Sequence, residues 1–239
     1  MSNRRKVVAV IPVKETTSAK QRLHAALRPG QRRELALAML EDVLKTVTEV
    51  RGLAGVVVAT ADTAAAVLGR RNGTEIWADE VDVSHSAAVA AAARRLARDG
   101  LAMLTLPADI PLVQGEDIGC VLAAHAATSR KSRTLVIVPA RDERGSNAVL
   151  CSPADAVMLR FGNDSFFPHL AQAKACGIEP HVARLPRIAL DIDTPDDLAL
   201  LMATDGHTRS QTLLRRWQDC GTLTLRDTAA RHRGRRSSA

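Results

Sequence analysis

Tyrosine is absent from this chain, and three phenylalanines and two tryptophans hold its aromatic content to 2%. A core must therefore be assembled from aliphatic side chains. A surface that stacks nucleic-acid bases on interleaved aromatics has little to draw on. No apolar run approaches the ~20 residues that span a bilayer. The four cysteines, Cys120, Cys151, Cys176 and Cys220, form no Cys-x-x-Cys pair. That spacing speaks against a zinc framework and fits free thiols in a reducing compartment. Met1 to Lys6 is basic, but the apolar segment behind it turns polar at Lys14, too soon for a signal peptide. A cytoplasmic protein without a membrane segment is expected. The Gly-x4-Gly-Lys phosphate loop is missing as well.

What is present is charge, unevenly placed. The formal net charge is +7, and from Asp205 onward eight arginines face three aspartates. Residues 1–204 are thus nearly balanced and read as one domain. Residues 205–239 read as a basic, solvated, partly disordered tail. Such an end can bind nucleic acid, which is the alternative class of function. Removing everything after Ala203 separates the two: a nucleic-acid binder loses salt-sensitive affinity, whereas an enzyme of the body keeps its activity.

The body alternates strand and helix. Val7 to Val13 is a continuous apolar run of the kind found in strands covered on both faces. Leu35, Met39, Leu40, Val43, Leu44 and Val47 recur at three and four and mark a helix. Further strands are expected at Gly55–Thr60, Thr74–Ala78, up to Leu106, Thr134–Ala140, Ala148–Cys151 and Val182–Leu185. Helices are expected after Asp62, over Ser86–Ala97, over Glu116–Ala127 and up to Ala175. Thr194, Pro195 and Asp197 form a helix start. The pattern predicts a three-layer, Rossmann-like α/β domain with a mostly parallel sheet.

Polar residues gather just past strand ends, where open α/β sheets bind ligands. Lys14, Lys20 and Arg22 follow the first strand and can attract phosphates. Asp109 stands between Pro107 and Pro111 in Leu-Pro-Ala-Asp-Ile-Pro-Leu. A carboxylate on so stiff a backbone suits Mg²⁺, which tolerates little distortion. Asp191 and Asp193 stand in Leu-Asp-Ile-Asp-Thr-Pro, where they can also simply precede a capped helix.

Four stretches taken together resemble the CofC-type guanylyltransferases of deazaflavin coenzyme F-420 biosynthesis, over roughly Val7 to Ala203. They are Pro-Val-Lys…Ala-Lys-Gln-Arg-Leu, Leu-Pro-Ala-Asp-Ile-Pro-Leu, Gly-Ser-Asn-Ala-Val-Leu with Arg-Phe-Gly-Asn-Asp-Ser-Phe, and Leu-Asp-Ile-Asp-Thr-Pro. The resemblance implies a Rossmann-like nucleotidyltransferase that joins GTP to a small phosphorylated hydroxy acid and releases pyrophosphate. It implies Mg²⁺ on Asp109 and Asp191, with Lys20 as a third catalytic residue. Lys14, Lys20, Arg22 and Ser86 fall to the nucleotide. His85, Ser146, Asn147, Gly162 and Ser165 fall to the acceptor. Relatives form dimers. Asp193 stays open as a further ligand, and a molybdopterin nucleotidyltransferase of the same fold is the alternative within this class. The chain departs from the family where Leu-Asn is replaced by His85-Ser86. A more polar lining there suits an acceptor with an extra hydroxyl, so 3-phospho-D-glycerate is expected ahead of 2-phospho-L-lactate or phosphoenolpyruvate. His85, His125 and His169 are read as surface or helix histidines rather than catalytic ones, since an already anionic phosphate oxygen needs no histidine base.

Overall fold

The computed structural model describes residues 5–78, 84–128, 131–162 and 164–223. Seven strands form one sheet: β1 (Val7–Pro12), β2 (Leu53–Ala59), β3 (Glu75–Trp77), β4 (Ala102–Thr105), β5 (Thr134–Pro139), β6 (Ser146–Ser152) and β7 (His181–Val182). Their order is β3-β2-β1-β4-β6-β5-β7. β1 runs parallel to both β2 and β4, while β6 runs antiparallel to both β4 and β5. Among the described residues eight α-helices accompany them: α1 (Pro29–Thr48), α2 (Thr63–Arg71), α3 (His85–Arg98), α4 (Gly115–Ala127), α5 (Phe166–Ala175), α6 (Pro186–Ala189), α7 (Pro195–Ala203) and α8 (Arg209–Asp219). Among the described residues, no helix is long and apolar enough to cross a membrane.

The apolar run of β1 is continuous because both of its faces are covered. Val7, Ala9 and Ile11 pack with Leu40, Val43, Leu44 and Val47 of α1 and with Ile118 and Val121 of α4. Val8 and Val10 point the other way, toward Val89, Ala92, Ala93 and Leu96 of α3 and Phe166 of α5. Alternate residues of one strand thus feed two cores, giving the expected three layers.

A third apolar cluster alters the reading of the C-terminal region. Leu214, Trp217 and Leu223 are buried with Leu35 and Met39 of α1, Leu198 and Leu201 of α7, and Leu23. Residues 209–219, assigned by charge to a solvated tail, are a helix of the body. Thr208 caps it, with Gln211 completing a reciprocal box. Asp42 of α1 accepts from Arg209 N (2.7 Å), Ser210 N (2.9 Å) and Ser210 Oγ (2.7 Å). The arginines lie on the outer side of a helix whose inner side is apolar. The part of the expected tail from residue 224 onward lies outside the described residues.

Two smaller differences concern the sheet. β6 begins at Ser146 and is buried throughout, longer than its apolar letters indicate. The last strand, expected at Val182–Leu185, is instead His181–Val182; residues 183–185 are irregular, and Pro186 then starts the helical turn of α6.

Candidate active site

The sheet order reverses at β1: its successor in sequence, β2, lies on one side and β4 on the other. The loops leaving β1 and β4 diverge there and open a crevice. Because β6 is antiparallel, its first residues rather than its last reach the same edge.

The loop after β1 is held from outside. Asp62 Oδ2 accepts from Thr16 N (2.8 Å) and Thr16 Oγ1 (2.7 Å), and Asp62 Oδ1 caps α2 by accepting from Ala65 N (2.9 Å). Lys20 then takes the left-handed conformation (φ 55°, ψ 44°), which is uncommon for a residue with a side chain. Its ammonium enters the crevice with the side chain only 8% exposed. Nζ donates to Asp109 Oδ2 and, at 2.7 Å, to Asp193 Oδ1. Burial pulls the ammonium down, but the charges of Asp109 and Asp193 outweigh it and hold Lys20 above the usual lysine range. Arg22 Nη1 lies 3.7 Å from Asp193 Oδ2.

Asp109 is fixed by its own backbone as well. Ile192 N–H donates to its carbonyl oxygen (3.0 Å), tying the loop after β4 to residues 190–194. Among the described residues, its Oδ1 is buried without a hydrogen-bond partner. Asp191 Oδ1 accepts from Asn147 Nδ2 (3.0 Å), which also donates to Ile188 O (2.9 Å). Burial first, and then the neighbouring charge of Asp109, raise the Asp191 carboxyl above the usual carboxylate range. An orphaned carboxylate oxygen and a second, costly carboxylate are a donor set that a divalent cation would relieve. Mg²⁺ takes one or two protein carboxylates and completes its shell with phosphate and water. Among the described residues, no three His, Cys, Asp or Glu side chains gather as a cage built wholly of protein.

Two adjoining cavities open here. The larger, about 620 Å³, is lined by Arg22, Ser146, Asn147, Gly162, Ser165 and Asp191, among others. The smaller, about 300 Å³, lies under the loop after β1 against Lys20, Ala36 and Met39. Lys14, His85, Pro107, Asp109 and Asp193 line both. Burial pushes the His85 ring down to about 4, with Asp109 opposing and Lys14 assisting, so it is neutral at physiological pH. Its edge meets Phe161, with ring centroids 4.9 Å apart.

Of the residues singled out in the sequence, eleven of the twelve meet in this crevice: Lys14, Lys20, Arg22, His85, Asp109, Ser146, Asn147, Gly162, Ser165, Asp191 and Asp193 line one cavity or both. Ser86, assigned to the nucleotide, does not. It lines neither cavity, because its Oγ faces the loop before α5 and accepts from Phe161 N (2.8 Å). Gly162 has no positive φ among the glycines of that kind, so backbone conformation does not demand glycine there.

Three groups carried no sequence signal for a place at this site. Asp62 supports the loop after β1. Arg141 borders the larger cavity and reaches Asp197 (Nη2 to Oδ1, 3.0 Å). His169, read as a surface or helix histidine, is on helix α5 but only 1% exposed, and lies behind Ser146, with Nδ1 2.9 Å from Ser146 Oγ. Only a periodicity analysis of α5 could place His169 on the inner face.

Known proteins resemble this chain over most of its length. Residues 7–227 match the family described as "Guanylyl transferase CofC like". The phosphoenolpyruvate guanylyltransferase of Roseiflexus castenholzii is 38% identical over 207 residues, covering 87% of this chain and 93% of the relative. That of Rubrobacter xylanophilus is 36% identical over 201 residues, covering 84% and 95%. Among solved structures, a Desulfovibrio desulfuricans protein assigned to the nucleotide-diphospho-sugar transferases aligns with TM-score 0.72 at 18% identity, over 90% of this chain and 96% of that one. A cytidylyltransferase of Leptospira borgpetersenii aligns with TM-score 0.59 at 13% identity, over 94% and 99%. These last two establish the fold alone, a Rossmann-like α/β fold. With the family match spanning all four of the motifs that meet in the crevice, the chain is a nucleotidyltransferase and belongs to the CofC-like guanylyl transferase family.

Proposed function

We propose that this enzyme transfers the guanylyl group of GTP to the phosphate of a three-carbon phospho-carboxylic acid, releases pyrophosphate, and takes phosphoenolpyruvate as its acceptor. The observation that carries the reading is the cluster between the two cavities: Lys20 paired with Asp109 and Asp193, beside the unpartnered Asp109 Oδ1 and the raised Asp191. Such a junction can face two anionic substrates at once.

Asp109 and Asp191 would hold a Mg²⁺ ion, which when bound neutralises phosphate charge and orients the reacting groups. The chain's own residues do the rest. Lys14, Lys20 and Arg22 attract the triphosphate and offset its charge as pyrophosphate departs, where exclusion of water makes each charge count for more. Ser146, Asn147 and Ser165 offer polar groups to the acceptor from the opposite wall. The attacking acceptor oxygen is already anionic, so no side chain need serve as a base. Proximity of the two substrates supplies much of the rate.

The choice of acceptor departs from the expectation raised by His85-Ser86. That expectation needed a partner for the middle hydroxyl of 3-phospho-D-glycerate. Ser86 is committed to the Phe161 backbone, and His85 packs edge-on against the Phe161 ring. Ser86 is thus removed as a partner on which the preference for the glycerate rested. The guanylyltransferases from Roseiflexus and Rubrobacter are both named for phosphoenolpyruvate.

The test is a product assay by mass spectrometry, offering GTP or ATP with phosphoenolpyruvate, 3-phospho-D-glycerate or 2-phospho-L-lactate, with and without Mg²⁺. A guanylylated phosphoenolpyruvate with stoichiometric pyrophosphate, formed fastest of all and only with Mg²⁺, is expected. A higher kcat/KM for either other acid would replace the acceptor and leave the transfer intact. If no combination gives a nucleotidyl product, the transfer itself is refuted.

A further inference from the structure

Behind the acceptor wall lies a buried histidine that touches neither cavity. His169 Nε2 faces the backbone N–H of Arg160 at 2.9 Å. A peptide N–H can only donate, so Nε2 must be the acceptor. Burial keeps the ring neutral, its pKa pushed down to about 4. A neutral imidazole carries one proton, and with Nε2 accepting, that proton sits on Nδ1. Nδ1 faces Ser146 Oγ at 2.9 Å. The serine oxygen is therefore an acceptor in this contact, and its own proton must point elsewhere.

The neighbouring serine narrows the choice. Ser165 Oγ accepts from Ser146 N (3.1 Å) and lies 3.4 Å from Ser146 Oγ. Between them the two serines hold two hydroxyl protons. A Ser–Ser hydrogen bond can use one at most. At least one O–H is left for the larger cavity, which both residues line. With the opposite tautomer, Ser146 would instead donate its proton backward to Nδ1, and the cavity would lose that donor.

We propose that His169 is a positioning residue for the acceptor: its tautomer, set by the Arg160 amide, directs a hydroxyl proton of the Ser146–Ser165 pair toward the acceptor's anionic oxygens. This rests on the reading of the larger cavity as the acceptor site. The same ring also holds Arg160 in place, two residues before Gly162. A merely structural role would consist of that backbone contact alone, and the two roles use different nitrogens.

Two substitutions separate them. In His169→Asn the amide nitrogen falls near the place of Nδ1 and keeps a donor for Ser146 while abandoning Arg160. In His169→Gln the amide oxygen falls near the place of Nε2 and keeps the acceptor for Arg160 while weakening the donor to Ser146. Both are assayed for KM of phosphoenolpyruvate, KM of GTP, kcat and thermal midpoint. Calorimetric titration of phosphoenolpyruvate in the presence of a non-hydrolysable GTP analogue reads the same site without turnover. The Gln variant should raise the acceptor KM and Kd about tenfold, the scale of one hydrogen bond to a charged group. Its KM for GTP should not change, and the Asn variant should stay within about twofold on both counts. The reverse ranking, Gln like wild type and Asn impaired, would assign His169 to loop support and overturn the proposal. Equal change in both substrates' KM values would do the same. Should either variant fail to fold, ¹⁵N shifts of the wild-type imidazole decide: protonated Nδ1 with bare Nε2 is required, and a proton on Nε2 refutes it. Absence of guanylyl transfer by the wild type, with acceptor binding intact and dependent on residue 169, would sink the proposed reaction and leave this assignment standing.

Discussion

Single residues in this crevice are held in states they would not choose alone. Lys20 combines a left-handed backbone with a buried ammonium, and the two carboxylates facing it are what keep it charged. Replacing it by Met removes the charge and keeps much of the volume. Lys20→Met should lower kcat by roughly 100-fold or more, the scale of losing one preorganised electrostatic contact; a rate within about twofold of wild type would remove Lys20 from the reaction. Gly162 offers a complementary case. Among the described residues, a methyl added there meets no atom within 4 Å apart from its chain neighbours, and the residue borders the larger cavity. Gly162→Ala should leave the thermal midpoint unchanged while raising the acceptor KM several-fold. A lowered midpoint with unchanged KM would show that the glycine serves the chain and not the ligand. His169 gives a prediction in pH. Its folded pKa of about 4 lies below the usual 6.5, so the unfolded chain binds the proton more readily. Stability from this group is complete above pH 6.5 and is lost as pH falls toward 4, by up to about 3 kcal/mol. Urea midpoints at pH 7 and pH 4.5 should therefore differ more for wild type than for His169→Gln. Identical differences would mean that the ring is not held neutral.

Among the elements, α8 carries the clearest consequence. Its first turn is received by a carboxylate of α1, and its apolar side closes the third cluster over Leu35 and Met39. Burial raises the Asp42 carboxyl above the usual range even though Ser210 and Arg209 donate to it. Asp42→Ala should cost ~1–2 kcal/mol, as for loss of a helix N-cap, read as a shift in denaturation midpoint. Ending the chain at residue 204 should go further and yield aggregated or inactive protein, because Leu35, Met39 and Leu198 would be uncovered. Retained activity in that truncation would restore the solvated-tail reading. The helix was hidden in the sequence by its arginines. Leu213, Leu214 and Trp217 have helical spacing, and Thr208 with Gln211 has the form of a capping box, but the count of positive charge outweighed both. β1 was legible for the opposite reason: a strand covered on both faces is apolar at every position. The start of β6 was not. Ser146 and Asn147 are buried because their partners, His169, Asp191 and Ile188, come from 23 to 44 residues away, and no local pattern encodes such satisfaction. Motifs with family signatures revealed the carboxylates and the basic loop, whereas the supports behind them, Asp62 and His169, were visible only once the chain had folded.

At the scale of the molecule, the sheet brings the walls of the two cavities together from opposite directions. The loops after β1 and β4 come from parallel strands on one side. The start of β6 and the loop before α5 come from the antiparallel side. Between them stand five residues that belong to both cavities: Lys14, His85, Pro107, Asp109 and Asp193. A common wall has a thermodynamic meaning. Whatever the first substrate does to Asp109 or Lys14, the second one encounters, and the coupling is reciprocal: the factor by which GTP changes the acceptor's affinity is the factor by which the acceptor changes that of GTP. Direct transfer between two molecules bound at once also leaves a kinetic mark. Double-reciprocal plots at several fixed concentrations of the other substrate should intersect, whereas parallel lines would signal a covalent enzyme intermediate. Titrating each substrate in the presence and absence of an unreactive partner should then yield one coupling constant, the same from either side, and that number would belong to the wall and not to either ligand.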